Sequence, residues 1–375
     1  MKKYLLPLFG LVVMGSACSE KDPGIKKPDE IIVDWDAAAD SSSLNLVNTY
    51  WNASKKCFNY VSDGTLNFQY WPAAHALDVM VDAYERSGNN LFKTTIDDWY
   101  YGVKALNGNS FYNVFYDDME WNALAMLRAY NAVGDEKFKT AAVDVWNDIK
   151  TGWNENAGGG IAWKKDQPWS KNACSNGPAS ILAARLYQQF GNIADKEWAL
   201  NIYNWEKETL FNPANGAVYD NIDSRSNTIQ TAWIFTYNQG TFLGAALELY
   251  KITGEATYLR DAVKAADYTL NSLVNSSQLL KSEGTGDGGL FKGIFVRYFT
   301  QLILHPDIKD ADRKRYVAFM EHNAENLWTK GTDKRQLLYG PNWGEIPSGP
   351  VDLTVQLSGC MLIEAAALLD ANSQF

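Results

Sequence analysis

Two adjacent carboxylates stand in Tyr116-Asp117-Asp118-Met119-Glu120-Trp121, where a polar loop turns into an apolar helical run. Two carboxyl groups held together in a sugar-sized cleft are what cleavage of a glycosidic bond requires, one as nucleophile and one as proton donor. Retaining enzymes hold the groups roughly 5 to 5.5 Å apart and inverting enzymes roughly 6.5 to 9.5 Å. Neighbouring residues reach the shorter separation when their side chains fan across a helix start, and hardly reach the longer, so the spacing favours retention. Repulsion within the pair raises one pKa, keeping one group protonated while the other stays ionised. The competing reading is a helix cap, worth about 0.5 to 2 kcal/mol and needing no chemistry. A second dipeptide, Asp97-Asp98 beside Trp99 and Tyr100, is assigned to the solvated face of another helix.

The elements that would position the pair form a repeat. Tyr84 to Gly88, Tyr130 to Gly134, Tyr187 to Gly191 and Tyr250 to Gly254 each close a helix-period apolar run with a tyrosine and, four residues later, a glycine. Each glycine reads as the left-handed residue that ends a helix. The runs 73–87, 118–133, 177–190 and 239–253, with 290–304 and 354–370, are apolar nearly all round and read as inner helices. Segments 43–57, 91–105, 137–152, 195–210, 257–274 and 311–328 carry charged faces and read as outer helices. Six of each predict an all-α (α/α)6 barrel. An open helical solenoid is the alternative, but the glycines at 88, 134, 191 and 254 are too irregularly spaced for a stacking unit.

If the inner helices run parallel, their N-termini gather at one mouth, together with the chemically loaded segments before them. These are 68–71, 116–118, 171–176, 236–239, 287–292 and 343–352. Trp71, Trp163 and Trp343 offer ring faces to a sugar, with large core residues as the plain reading. Asn172, Asn176, Asn238 and Gln239 suit hydroxyl recognition, since an amide both donates and accepts, or else cap helices and loops. Tyr116, Trp121 and Tyr237 flank the pair or the amides. Asp220 binds a hydroxyl or orders a turn, Lys292 neutralises the cleft or points outward, and His75 reads as a core residue.

These segments resemble glycoside hydrolase family 76, the endo-acting α-1,6-mannanases. The resemblance rests on Phe-Tyr-Asp-Asp-Met-Glu-Trp at 115–121, Gly-Gly-Ile-Ala-Trp at 159–163, Lys-Asn-Ala-Cys-Ser-Asn-Gly at 171–177, Thr-Tyr-Asn-Gln-Gly at 236–240 and Leu-Phe-Lys-Gly at 290–293. It implies an (α/α)6 barrel and a retaining attack on the mannan backbone, with Asp117 as nucleophile and Asp118 as acid/base. The residues alone leave that order open. A different enzyme on the same barrel, such as an unsaturated glucuronyl hydrolase or a sugar epimerase, would need a basic patch or paired histidines. A non-catalytic glycan-binding helical lipoprotein is the remaining alternative.

The chain opens with Lys2-Lys3, an apolar run over 4–14 and small residues before Cys18, the layout of a secretory signal that ends like a bacterial lipobox. The expectation is a signal peptide over 1–17, a lipid on Cys18, a tether over 18–40 and one catalytic domain over 41–375, anchored extracytoplasmically to the bacterial outer membrane. Without residues 1–17 the chain has 32 basic against 44 acidic residues, which disfavours nucleic acid and polyanionic glycans. The expected partner is therefore a neutral glycan, mannan, acted on by a monomer that meets the membrane only through its lipid. Cys57, Cys174 and Cys360 have no disulfide or zinc spacing, and His75, His305 and His322 no metal-ligand spacing, so neither metal nor cofactor is expected. Gly284 to Gly289 formally matches a dinucleotide fingerprint but follows no strand, and reads as a loop on the cleft rim.

Overall fold

The computed structural model describes residues 33–375; the expected signal peptide, Cys18 and most of the tether lie outside the described residues. Among the described residues, twelve α-helices alternate in position. The inner six are α2 (Tyr70–Ser87), α4 (Tyr116–Val133), α6 (Gly177–Phe190), α8 (Thr236–Thr253), α10 (Gly288–Ile303) and α12 (Leu353–Ala371). Each packs on the next, and α12 packs back on α2, so the ring closes as the (α/α)6 reading requires and an open solenoid does not. The outer six are α1 (Trp35–Tyr50), α3 (Asn90–Leu106), α5 (Glu136–Ile149), α7 (Ile193–Thr209), α9 (Ala256–Ser272) and α11 (Asp310–Thr329).

The local rules behind this are those of helix ends. Gly88, Gly134, Gly191 and Gly254 all adopt φ between 65° and 74° and donate their N–H to the carbonyl of the tyrosine four residues earlier. Outer helices α1, α3, α5 and α7 are capped by the side chains of Asp34, Asn89, Asp135 and Asn192. The residues in the cap position of the six inner helices, Gln69, Phe115, Asn176, Phe235, Asp287 and Asp352, make no such side-chain bond. The positive ends of six helix dipoles thus meet at one mouth without local side-chain caps.

Close approach inside the ring depends on small residues. A Cβ at Gly240 would lie 2.6 Å from Cα of Phe295, so α8 and α10 touch backbone to backbone there. Gly240→Ala must push the two helices apart, and overpacking of this kind destabilises by roughly 1–3 kcal/mol. Urea unfolding of the variant should show a lower midpoint at unchanged slope.

One expectation is corrected. The domain starts before residue 41: Asp34 caps α1, Trp35 is 5 % exposed, and Ser42 and Ser43 are buried. The stretch 34–40 looks like linker because of its acidic residues, yet Asp36 and Asp40 pair with Arg86 of α2. Ser43 donates to Glu364 on α12 at 2.6 Å, and Ser42 accepts from Tyr339 at 2.8 Å. The all-α (α/α)6 reading holds, with short strands added in the connections between helices. Short ribbons pair β1 (Trp51–Asn52) with β2 (Cys57–Phe58) and, late in the chain, β7 (Thr332–Asp333) with β8 (Leu338–Tyr339). Between them, β3 (Ala162–Lys164), β4 (Gln167–Asn172), β5 (Asn221–Asp223) and β6 (Thr228–Ile229) form an antiparallel four-stranded sheet from the α5–α6 and α7–α8 connections. A bridge between Phe115 and Lys164 ties this sheet to the start of α4.

Candidate active site

Asp117 and Asp118 occupy the first turn of α4, and neither caps it, because the cap position belongs to Phe115. The plain reading of the pair as a helix cap therefore fails. What surrounds each carboxylate differs. Oδ2 of Asp117 accepts from Nε1–H of Trp163 on β3 at 3.2 Å and from the thiol of Cys174 at 3.4 Å. Its Oδ1 is buried and has no hydrogen-bond partner. Among the described residues no donor bonds the side chain of Asp118; its backbone carbonyl accepts from Asn122.

These surroundings separate the two groups electrostatically. Burial raises the pKa of Asp117, while Cys174, the backbone N–H groups of the helix start and Trp163 oppose the rise by stabilising the ionised form. Burial also raises Asp118, and there the charges of Asp117 and Asp287 add to the rise with no donor against it. The shared proton of the pair therefore belongs on Asp118. Glu120, one turn along, is fully buried with both oxygens unpartnered, and burial beside Asp117, Glu206 and Asp118 keeps it neutral.

Beyond Cys174 the site continues into a second cluster. Asp220, just before β5, accepts from Nδ2 of Asn238 at 2.9 Å, from the Tyr237 hydroxyl at 3.3 Å and from Asn221 at 2.7 Å. Tyr237 stacks on Phe291 at 4.0 Å between centroids and 12° between planes. Gln239 spans to the carbonyl of Val218, with its own Oε1 buried and free. Asn172 ends β4 opposite Asn221. On the far side, Nε1–H of Trp71 donates to Asp287 at 3.0 Å, and Trp71 and Asp118 thus flank the same acidic group.

Asp117, Asp118, Trp71, Trp163, Asn172, Asp220 and Tyr237 stand at or beside the starts of the inner helices, while Asn238 and Gln239 are wholly buried beneath them, holding Asp220 and the carbonyl of Val218. Five expectations fare differently. Tyr116 turns into the wall, where its ring meets Gly152 and its hydroxyl Thr151. Trp121 is 3 % exposed and packs on the buried, neutral His75. Asn176 is spent on the backbone of Ile161 and Asn172. Lys292 donates to the carbonyl of Pro341 and sits 4.1 Å over the ring of Trp343, which is wholly buried and offers no face to a ligand. In each case the residue type suits a sugar, yet its partners hold it in the wall.

Sequence reasoning placed Cys174, Asp287 and Phe291 within the segments at the mouth without singling them out, and missed Trp233. Cys174 lies in the loop just before α6, Asp287 and Phe291 flank the start of α10, and their nearness to helix starts was a usable signal. Trp233 is half exposed and its carbonyl accepts from the N–H of Asp220, a placement no spacing rule reveals.

Comparison with known proteins agrees with this geometry. The model described as "Glycosyl hydrolase family 76" matches residues 34–374. The structure is similar to the GH76A α-1,6-mannanase from Salegentibacter sp. HEL1_6, with TM-score 0.87 and 47 % identity over 90 % of this chain and 100 % of that one. A variant of that enzyme with two adjacent aspartates replaced by alanine is described as inactive, in complex with α-1,6-mannotetrose. Among curated sequences, a mannan endo-1,6-alpha-mannosidase from Candida glabrata is 34 % identical over 29 % of this chain. That match spans 26 % of the yeast protein. A putative mannan endo-1,6-alpha-mannosidase from Schizosaccharomyces pombe is 26 % identical over 64 % of this chain and 62 % of its own length.

Proposed function

Because the chain belongs to glycosyl hydrolase family 76, we propose that it is an endo-acting α-1,6-mannanase that cleaves the mannan backbone with retention of configuration. The observation that carries the chemistry is the asymmetry of Asp117, one oxygen held by two donors and the other bare. In the first step Oδ1 of Asp117 attacks the anomeric carbon, the C–O bond breaks, and Asp118 gives its proton to the departing glycosidic oxygen. In the second step Asp118, now a carboxylate, takes a proton from water as that water attacks the same carbon and frees Asp117. Adjacent positions on one helix turn support retention, since they leave little space for a water between carboxylate and sugar.

The neutral substrate class fits the cleft. Two lysines of the segments at this mouth, Lys171 and Lys292, both aim Nζ at backbone carbonyls, and burial lowers each to a pKa of about 7. Neither faces outward to hold a uronate, which disfavours a glucuronyl hydrolase, and buried His75 gives an epimerase no base. The direct experiment is digestion of debranched α-1,6-mannan with product lengths resolved and the anomer of the first-formed product read by NMR. Early products of mixed internal length with retained configuration are expected; an inverted anomer or release of single residues from the chain end refutes the proposal.

Trp163 gives a sharper test. Trp163→Phe keeps most of the ring but removes one of the donors to Asp117 Oδ2, and a hydrogen bond to a charged group contributes roughly 1.5–3 kcal/mol. kcat/KM should fall by about ten- to a hundred-fold, and because the ionised form of Asp117 loses support, the acidic limb of the pH profile should move upward.

Lipid attachment through Cys18 and a place at the bacterial surface or periplasmic face of the outer membrane belong to the same proposal. They rest on the sequence of residues 1–22. Cys18→Ala should shift the protein from the membrane fraction to the soluble fraction without changing its activity.

A further inference from the structure

The inner ring has a second opening, where its helices end. A cavity of about 850 Å³ lies there, walled by the last turns of α2, α4, α6, α10 and α12 and by Asp36 at the start of α1. Asn131 on its wall stands 13 residues after Asp118 on α4, about 20 Å along the axis at 1.5 Å per residue, so this cavity is separate from the cleft.

Four guanidinium groups enter the cavity, and each is already matched. Arg86 donates to Glu364 and Asp36, Arg128 to Asp82 and Asp78, Arg297 to both oxygens of Asp82, and Arg185 to Glu248 and the Gln301 amide. Against the four arginines the lining sets the carboxylates of Asp36, Asp82, Glu85, Glu364 and Asp370. The negative ends of the inner-helix dipoles converge here as well. An anion therefore meets no uncompensated positive charge, in spite of the arginines. An amine gains little either, since most of the carboxylates already serve guanidinium groups.

What remains is a surface of paired planar donors and acceptors, with amides of Asn131, Gln189 and Gln301 beside them and Leu127, Met361 and Leu368 as an apolar patch. Vicinal hydroxyls both donate and accept and match such groups, while the C–H face of a pyranose matches the patch. The volume is that of an ordinary ligand pocket. We infer that this opening is a second binding site, for a short neutral oligosaccharide. None of its lining residues is aromatic, so its affinity is modest, with a dissociation constant of about 1 mM rather than micromolar. The choice of an α-1,6-mannosyl probe rests on the function proposed for the cleft; the site itself does not.

The test uses the whole chain carrying Asp117→Asn and Asp118→Asn, titrated with α-1,6-mannobiose by calorimetry and ligand-observed NMR. Two classes of binding are expected. Gln189→Trp and Asn131→Trp, which set an indole at exposed rim positions, should each weaken one class at least tenfold. The other class, and kcat/KM of the enzyme with its aspartates intact, should stay within twofold. Binding insensitive to both rim substitutions overturns the inference, whether one class or two is seen, and so does a rim-sensitive class that prefers spermidine to mannobiose. If mannobiose shows only one class and the rim substitutions remove it, the reading of the cleft fails while this one stands.

Discussion

Asp117→Ala and Asp118→Ala are expected to inactivate the enzyme in different ways. The first removes the nucleophile, so no covalent intermediate forms, and azide added to the bare pocket should attack the anomeric carbon directly and yield a glycosyl azide of inverted configuration. The second removes the proton donor, a loss of about 10²–10⁴ in rate for ordinary mannan. That loss should shrink for an aryl mannoside whose leaving group needs no proton, and azide should then capture the intermediate with retained configuration. Exchange of these two signatures between the variants would reverse the roles. If both variants, still folded, kept full activity on debranched mannan, the assignment of the pair would be wrong.

The physical basis for assigning the roles is in the donors. Trp163, Cys174 and the helix-start N–H groups all favour a charged Asp117, whereas Asp118 has no donor and faces two other carboxylates. The acid limb of kcat/KM should therefore follow Asp117 and the alkaline limb Asp118, both displaced upward from the usual carboxylate range, as macroscopic values of one coupled pair.

The second large effect concerns stability. Asp82→Ala should destabilise the fold by about 3–5 kcal/mol, because it leaves Arg297 and one arm of Arg128 in the interior without their carboxylate. Side-chain exposure of 20 % for Asp82 and 10 % for Arg297 leaves water little room to compensate. The contribution has a defined pH dependence. Burial alone would raise the pKa of Asp82, but Arg128 and Arg297 outweigh it and hold the folded-state value below the ordinary one. A depressed folded pKa gives stability that is present above the unfolded value, about 3.9, and is lost as pH falls through the folded value. Guanidinium unfolding at pH 7 should show the full difference between wild type and Asp82→Ala, and the gap should narrow below about pH 4.

How far the sequence could be read depends on whether a residue's role is local. The glycines at 88, 134, 191 and 254 end helices by a rule involving five residues, and each was legible. The inner helices begin up to three residues earlier than their apolar runs suggest, because Tyr70, Tyr116 and Thr236 are already helical although their neighbours are polar. Asp36 and Asp40 looked like tether because the arginine that pairs with them, Arg86, lies more than 40 residues away. Lys292 and Trp343 looked like ligands of a sugar for the converse reason: their mutual contact satisfies them inside the wall, and nothing near them in the chain announces it.

The sequence by itself determined the class of the molecule: the number and alternation of the helices, the closure of each at its glycine, and the carboxylate pair at the start of one inner helix. Helix periodicity, end rules and adjacency act within a few residues, so they survive in one dimension. Only the tertiary structure decided which carboxylate holds the proton, which aromatic rings and amides share the cleft, and that a second cavity lies at the opposite mouth. Those depend on groups from β3, the loop before α6, β5, α8 and α10 meeting at distances of about 3 Å, where a donor or a like charge shifts a proton, and no spacing along the chain encodes that meeting.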